Sequence, residues 1–165
     1  MTPPGAELSG VALHSGKAAG TLLVLESPLS FWGGSDLATG QIVDQRHPQC
    51  GASMAGRVLA MHSGRGSSSS SSVLAEQIRL GVSPAAIVLG EADPIIVLGA
   101  IVAAELYGKQ IPIVMLTIPE IDSLADGLAV EVASTVGKGA TIQALKASRL
   151  ASAAEMAHTR EDTMR

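Results

Sequence analysis

Between residues 56 and 116 three short apolar runs, GRVLAMH (56–62), PAAIVLG (84–90) and IPIVML (111–116), are separated by two stretches of helical pattern. The first stretch places Val73, Leu74, Gln77 and Ile78 at helical spacing and meets a stop at Gly81. The second opens with Asp93 before Pro94, an N-cap followed by proline at the first helical position, and runs through IIVLGAIVAAELYG to Gly108. Strand, helix, strand, helix, strand is the signature of parallel βαβ units. The apolar runs are of the type that a strand shows when it is buried.

Outside this middle region the chain reads as strands without intervening helices. GVALHSG (10–16), GTLLVLES (20–27) and the shorter GQIVD (40–44) precede it, and LAVEVAS (128–134) and ATIQAL (140–145) follow it. PEIDSLADG (119–127) reads as a short helical turn. The expected architecture is mixed α/β, with a helical layer on one side of packed sheets. With 165 residues the chain suffices for one domain with a real core. Its hydrophobic fraction is 47% but its aromatic fraction is 2%, so Val, Ile, Leu, Ala and Met must build that core. We expect a flexible N-terminus at 1–7, the domain at 8–145, and a mobile or partner-dependent tail at 146–165.

Several function classes are disfavoured. A net charge of -4 without any Lys/Arg-rich run argues against a nucleic-acid surface. Cys50 is the one cysteine, so no intramolecular disulfide and no iron–sulfur cluster can be held by this chain alone. His14, His47, His62 and His158 show no metal-ligand spacing, and no metal site is expected. The longest uninterrupted apolar run, Pro94 to Ala104, is short of the roughly 20 residues a membrane helix needs. The opening MTPPGAELSG lacks the basic start and apolar core of a signal peptide. The expectation is a soluble cytoplasmic domain.

Two segments invite a functional reading. GRGSSSSSSV (64–73) lies between a strand and a helix, so its serines occupy a βα turn and a first helical turn. Serine is poor inside helices and good at their start, where free backbone N–H groups need acceptors. Glycine on either side of Arg65 lets the backbone turn tightly and approach a ligand, while exposed amides and a guanidinium suit a carboxylate or phosphate. A capped helix behind a low-complexity loop and an anion site both fit this run. It is not a Walker A loop, because no Gly-Lys-Ser/Thr follows, and no Rossmann GxGxxG or hydrolase triad motif is present. In SPLSFWGGSDLATGQIVD (27–44), Phe31 and Trp32 precede Gly33 and Gly34, with Asp36, Thr39 and Gly40 following. An apolar plug before a turn in which Asp36 bonds its own backbone explains this stretch, and so does a loop facing a ligand or partner.

Together the segments carry a resemblance. PLSFWGGSDLATGQIVDQRHPQCGASMAGRVLAMHSGRGSSSSSSVLAEQIRLGVSPAAIV (28–88) resembles the small subunit, or swivel domain, of the aconitase X family in the order FWGG-x-D-x-x-TG-x-I-x-D, HP-x-x-G and GRGSSSSS-x-VL-x-E. The resemblance runs from about Leu8 to about Leu145. It implies a three-layer β/β/α swivelling domain as in the aconitase swivel domain. It further implies a hydro-lyase in which a large subunit carries the iron–sulfur cluster, an iron ion of that cluster acts as Lewis acid, and the swivel domain closes over it. Carried over by motif position, Ser67 is the catalytic base, with Arg65, Gly66, Ser68 and Ser71 binding substrate or capping the helix. Phe31, Trp32, Gly33, Gly34, Asp36 and Thr39 form the partner or site loop. Family members dehydrate cis-3-hydroxy-L-proline, giving Δ1-pyrroline-2-carboxylate, or phosphorylated mevalonate. The small number of basic residues near the loop (Arg65, then Arg46 and Arg57) favours hydroxyproline. A non-catalytic anion-binding module on the same fold is the competing reading from another class. A phosphohistidine-type swivelling carrier ranks last, since no Gly-rich histidine motif occurs.

Overall fold

A computed structural model describes residues 6–145. The tail at 146–165 and residues 1–5 of the expected N-terminal segment lie outside the described residues. The elements, in chain order, are β1 (Glu7–His14), β2 (Gly16–Val24), α1 (Phe31–Gly34), β3 (Val58–Met61), α2 (Ser69–Leu80), β4 (Ala86–Leu89), α3 (Pro94–Tyr107), β5 (Ile113–Met115), α4 (Ile118–Asp122), β6 (Ala129–Thr135) and β7 (Gly139–Ala144).

The seven strands close on themselves in the order β1-β5-β4-β3-β2-β6-β7. Strands β2, β3, β4 and β5 run parallel, as the βαβαβ pattern requires, while β1, β6 and β7 pair antiparallel with their neighbours. Strands β3 and β4 are buried at every residue. Their alternate side chains enter two cores. Leu59, Met61, Ile87 and Leu89 pack with Leu74 and Ile78 of α2 and Ile96, Ala100 and Ala103 of α3. Val58, Ala60, Ala86 and Val88 pack with Val130, Val132, Ala140 and Ile142 of the antiparallel strands. Period-two alternation on a doubly covered sheet thus produces the β/β/α layering expected from the sequence.

Helices α2 and α3 lie close together because Gly99 faces α2. A Cβ there would stand 2.8 Å from the Ser71 carbonyl oxygen. Both helices end where expected, on left-handed glycines: Gly81 at φ 75° and Gly108 at φ 64°. Asp93 caps α3 by accepting from the amides of Ile95 (2.9 Å) and Ile96 (3.2 Å).

The strands before β3 differ from the sequence expectation. The first two strands begin earlier, at Glu7 and Gly16, and a single residue, Ser15, separates them. Residues 16–21 carry little β propensity, yet they form a continuous antiparallel ladder with 129–134. The expected strand at GQIVD is instead an irregular loop holding isolated bridges, Ser35↔Ile42 and Gln41↔Ser53. Ile42 is its buried anchor, and the chain turns away at Gly40, where φ is 70°. Helix α2 does start inside the serine run, at Ser69, four residues before its first apolar position, as the place of the run between strand and helix implies.

Leu74 is fully buried between α2, α3 and the sheet. Leu74→Ala is expected to lower unfolding stability by about 2–5 kcal/mol. Chemical denaturation should show a lower midpoint with an unchanged slope.

Candidate active-site edge around the serine helix

Because β3, β4 and β5 are parallel, the loops that follow them leave at one edge of the sheet. The crowding there is backbone against side chain. A Cβ on Gly64 would strike the Asp93 carboxylate, and one on Gly90 would lie 2.8 Å from the His62 carbonyl oxygen. The His62 ring meets the Asp122 carboxylate of α4 at 2.6 Å, tying the exit of β3 to the segment after β5. At this edge Arg65, Gly66, Ser67, Ser68 and Ser69 are exposed.

Ser67 stands just outside α2. Its carbonyl accepts from the Ser70 amide at 3.0 Å, while none of the described residues bonds its hydroxyl. The amides of Gly66, Ser67 and Ser68 likewise have no described acceptor, which leaves their donors open at the start of α2. Gly66 has φ 113°, and a side chain there would collide with the Ser30 hydroxyl. The serines are not equivalent. Ser71 turns its hydroxyl back to the Ser68 carbonyl at 2.6 Å. Ser68 is the N-cap residue but makes no side-chain capping bond. Ser70 is buried and was not singled out by sequence reasoning.

Ser70 joins the two segments of interest. Its hydroxyl accepts from the Trp32 amide at 3.2 Å and lies 3.3 Å from the Ser30 hydroxyl, which donates to the Trp32 carbonyl at 2.7 Å. Both backbone groups of Trp32 are thereby held, and the residue stands 60% exposed. Phe31 points the opposite way into the core, so the FWGG turn is an apolar plug carrying an outward aromatic. The turn is one distorted helical winding, with Trp32 extended at ψ 120° and Gly33 at φ 77°.

Asp36 and Thr39 serve their own loop. The Asp36 carboxylate accepts from the Thr39 hydroxyl (2.8 Å), the Thr39 amide (2.8 Å) and the Ala38 amide (3.0 Å). The Thr39 hydroxyl bond, then the Thr39 amide, holds its carboxyl below the usual carboxylate range. Behind this loop, the buried Gln77 amide donates to the Ser35 hydroxyl and the Asp36 carbonyl, each at 3.0 Å. His47 is also structural: its Nδ1 accepts from the Gln49 amide (3.1 Å), which leaves Nε2 to donate to the Ser27 carbonyl (3.0 Å).

Asp44 and Ser30 are further site-edge residues that sequence reasoning did not single out. Asp44 Oδ2 accepts from Arg65 Nη2 at 3.0 Å. The available signal was Asp44's place at the end of the FWGG-to-Asp motif; reading GQIVD as a strand hid it. Among the described residues no three His, Cys, Asp or Glu side chains could hold a metal ion. Cys50 is exposed and meets a single polar neighbour, Gln45, at 3.7 Å, so this chain has no ligand set for an iron–sulfur cluster. A separate open groove of about 420 Å³ lies between β1 and α4, lined by Ser9, Gly10, Val11, Met115 and Thr117. Among the described residues no helix is long and apolar enough to cross a membrane.

Two outcomes follow from this geometry. Trp32 is the sole tryptophan, so fluorescence reports its turn directly. Ser70→Ala should cost about 1–3 kcal/mol and change the emission and anisotropy of Trp32. A depressed folded-state carboxyl pKa contributes stability that is present above the unfolded value and lost as pH falls through the folded one. Acid titration of the loop at 36–40 should therefore show protection persisting below the ordinary aspartate range, and Asp36→Asn should remove that pH dependence in amide-exchange measurements.

Comparison with known proteins bears on the family and the fold. The aconitase X swivel domain family profile matches residues 7–142. The chain is 40% identical over 124 residues to cis-3-hydroxy-L-proline dehydratase of Hypocrea jecorina, covering 75% of this chain and 21% of that protein. With the enzyme of the same name from Pseudomonas aeruginosa it shares 50% over 104 residues, covering 63% and 18%. It therefore spans about a fifth of the length of these relatives. With the phosphomevalonate dehydratase small subunit of Methanothermobacter thermautotrophicus it shares 40% over 129 residues, covering 76% of this chain and 92% of that subunit. The crystal structure of Thermococcus kodakaraensis aconitase X in its holo-form superposes with a TM-score of 0.75 at 33% identity, covering 86% of this chain and all of that one. On profile, sequence and structure, the chain belongs to the aconitase X swivel-domain family.

Proposed function

We propose that this chain is the swivel portion of an aconitase X-type hydro-lyase and supplies the serine base that dehydrates cis-3-hydroxy-L-proline. The observation that carries the reading is that Ser67 is exposed, two residues after Arg65, with no described partner for its hydroxyl or for the amides of 66–68. Two relatives bearing the name cis-3-hydroxy-L-proline dehydratase, at 40% and 50% identity, support the substrate. The partner is a large subunit that carries the iron–sulfur cluster and supplies the Lewis acid, and the complex works in the cytoplasm.

In this reading Ser67 removes the α-proton of the bound amino acid. A serine hydroxyl is a weak base until its alkoxide is favoured, and the amides at the start of α2 together with Arg65 favour it. Arg65 takes the substrate carboxylate, the Gly66 backbone lets that carboxylate approach, and Ser68 offers a further hydroxyl to substrate oxygens. Ser71, bonded to the Ser68 carbonyl, shapes the first turn. Loss of the 3-hydroxyl as water yields an enamine that tautomerises to Δ1-pyrroline-2-carboxylate. The FWGG loop, with Phe31 as plug and Trp32, Gly33 and Gly34 outward of it, meets the substrate or the large subunit, and Asp36 and Thr39 hold its far end.

A second reading, phosphomevalonate dehydratase small subunit, is favoured by the 92% coverage of the archaeal relative. Against it, Arg57 lies before β3, at the end of the sheet away from the serine turn, and is engaged there with the Leu22 carbonyl and Asp126. Few cations remain at the edge for a phosphate.

Assay of the chain mixed with an iron–sulfur large subunit tests the reading. Hydroxyproline should be turned over by the mixture and not by this chain alone. Ser67→Ala should lower turnover by roughly 10²–10⁴-fold with assembly unchanged. Full activity in that variant removes Ser67 from the base role, and turnover of phosphomevalonate in place of hydroxyproline selects the second reading.

A further inference from the structure

We propose that Asp44 is the positioning residue for Arg65, fixing one edge of the guanidinium so that its remaining donors form a preorganised carboxylate site. The inference rests on the dehydratase reading for the identity of the carboxylate, but the placement of Arg65 stands on its own geometry. Arg65 Nη2 donates to Asp44 Oδ2 at 3.0 Å, and the other oxygen, Oδ1, accepts from the Arg46 amide at 2.9 Å. Asp44 is therefore held on both oxygens, with its side chain 20% exposed against 61% for Arg65. No described residue accepts from Arg65 Nε or Nη1.

The two partners are anchored to one short frame. The Arg65 amide donates to the Leu29 carbonyl at 3.1 Å, and Leu29 and Gly64 form a parallel bridge. The amides of Val43 and Asp44 both reach the Gly34 carbonyl, at 2.9 and 3.3 Å. The segment 29–34, itself bonded to α2 through Ser70, thus sets the distance between Asp44 and Arg65. A surface arginine free of such a frame loses rotamer entropy when it binds, whereas one held beforehand does not. The pair also offers adjacent opposite charges, which match an amino acid carrying both a carboxylate and an ammonium.

The test uses Asp44→Asn, Asp44→Glu, Arg65→Ala and the double variant Asp44→Asn/Arg65→Ala. Binding of pyrrole-2-carboxylate is followed by calorimetry, and hydroxyproline kinetics are measured, on the complex reconstituted with the large subunit. Asp44→Asn should raise the probe Kd and the KM about tenfold while kcat changes by less than about threefold. Asp44→Glu should recover most of the loss, and Asp44→Asn should add nothing once Arg65 is alanine. Wild-type Kd and KM in Asp44→Asn, or a defect that persists in the Arg65→Ala background, overturns the inference, as does failure of the wild-type complex to bind the probe. If the complex binds the probe with this pattern but dehydrates nothing, the dehydratase reading falls and the positioning role stands. Turnover with unchanged KM in Asp44→Asn has the opposite meaning.

Discussion

Burial of β3, β4 and β5 on both faces is the constraint from which the rest of the molecule follows. Their alternate side chains enter two separate cores, one under the helices and one under the antiparallel strands. A sheet covered this way can expose chemistry only at its ends, and parallel strands bring all their following loops to the same end. The serine run, the Asp93 cap and the Thr117 turn gather there without any of them having to form a core of its own.

At that end the FWGG segment acts as a frame more than as a reactive group. It touches α2 through Ser30 and Ser70, receives the Asp44 loop at Gly34, and receives the Arg65 loop at Leu29. Phe31 anchors it in the core, and Gln77 holds its continuation from behind. One apolar side chain in the core and a handful of backbone bonds therefore coordinate three loops whose own sequences carry little structural preference.

What the sequence made legible divides along the same line. Strands β3, β4 and β5 and helices α2 and α3 were readable because local signals coincide there: unbroken apolar runs, helical spacing, the Asp93-Pro94 start, and glycine stops. The early start of β2 at Gly16 was not, since GKAAG is ordered by its ladder with β6 and not by its own propensity. GQIVD failed for the converse reason: it has strand composition but no neighbouring strand to pair with beyond isolated bridges. Arg65 stood out because the glycines beside it signal close approach, and Ser67 only through its motif position in the family resemblance. Ser70 did not, because its role depends on partners 38 and 40 residues away, Trp32 and Ser30, and Asp44 lies 21 residues from Arg65. Pairings at that separation have no local pattern.

The burial of Ser70 has a consequence for the run as a whole. Each residue advances a helix by about 100°, so inserting or deleting one serine before α2 would carry a different hydroxyl toward Trp32 and swing Ser70 outward. The six serines look interchangeable on paper, yet their number works as a ruler, measuring the distance from Gly66 to the first apolar residue, Val73. Here a change of one unit would preserve composition and charge while misregistering the helix against its frame.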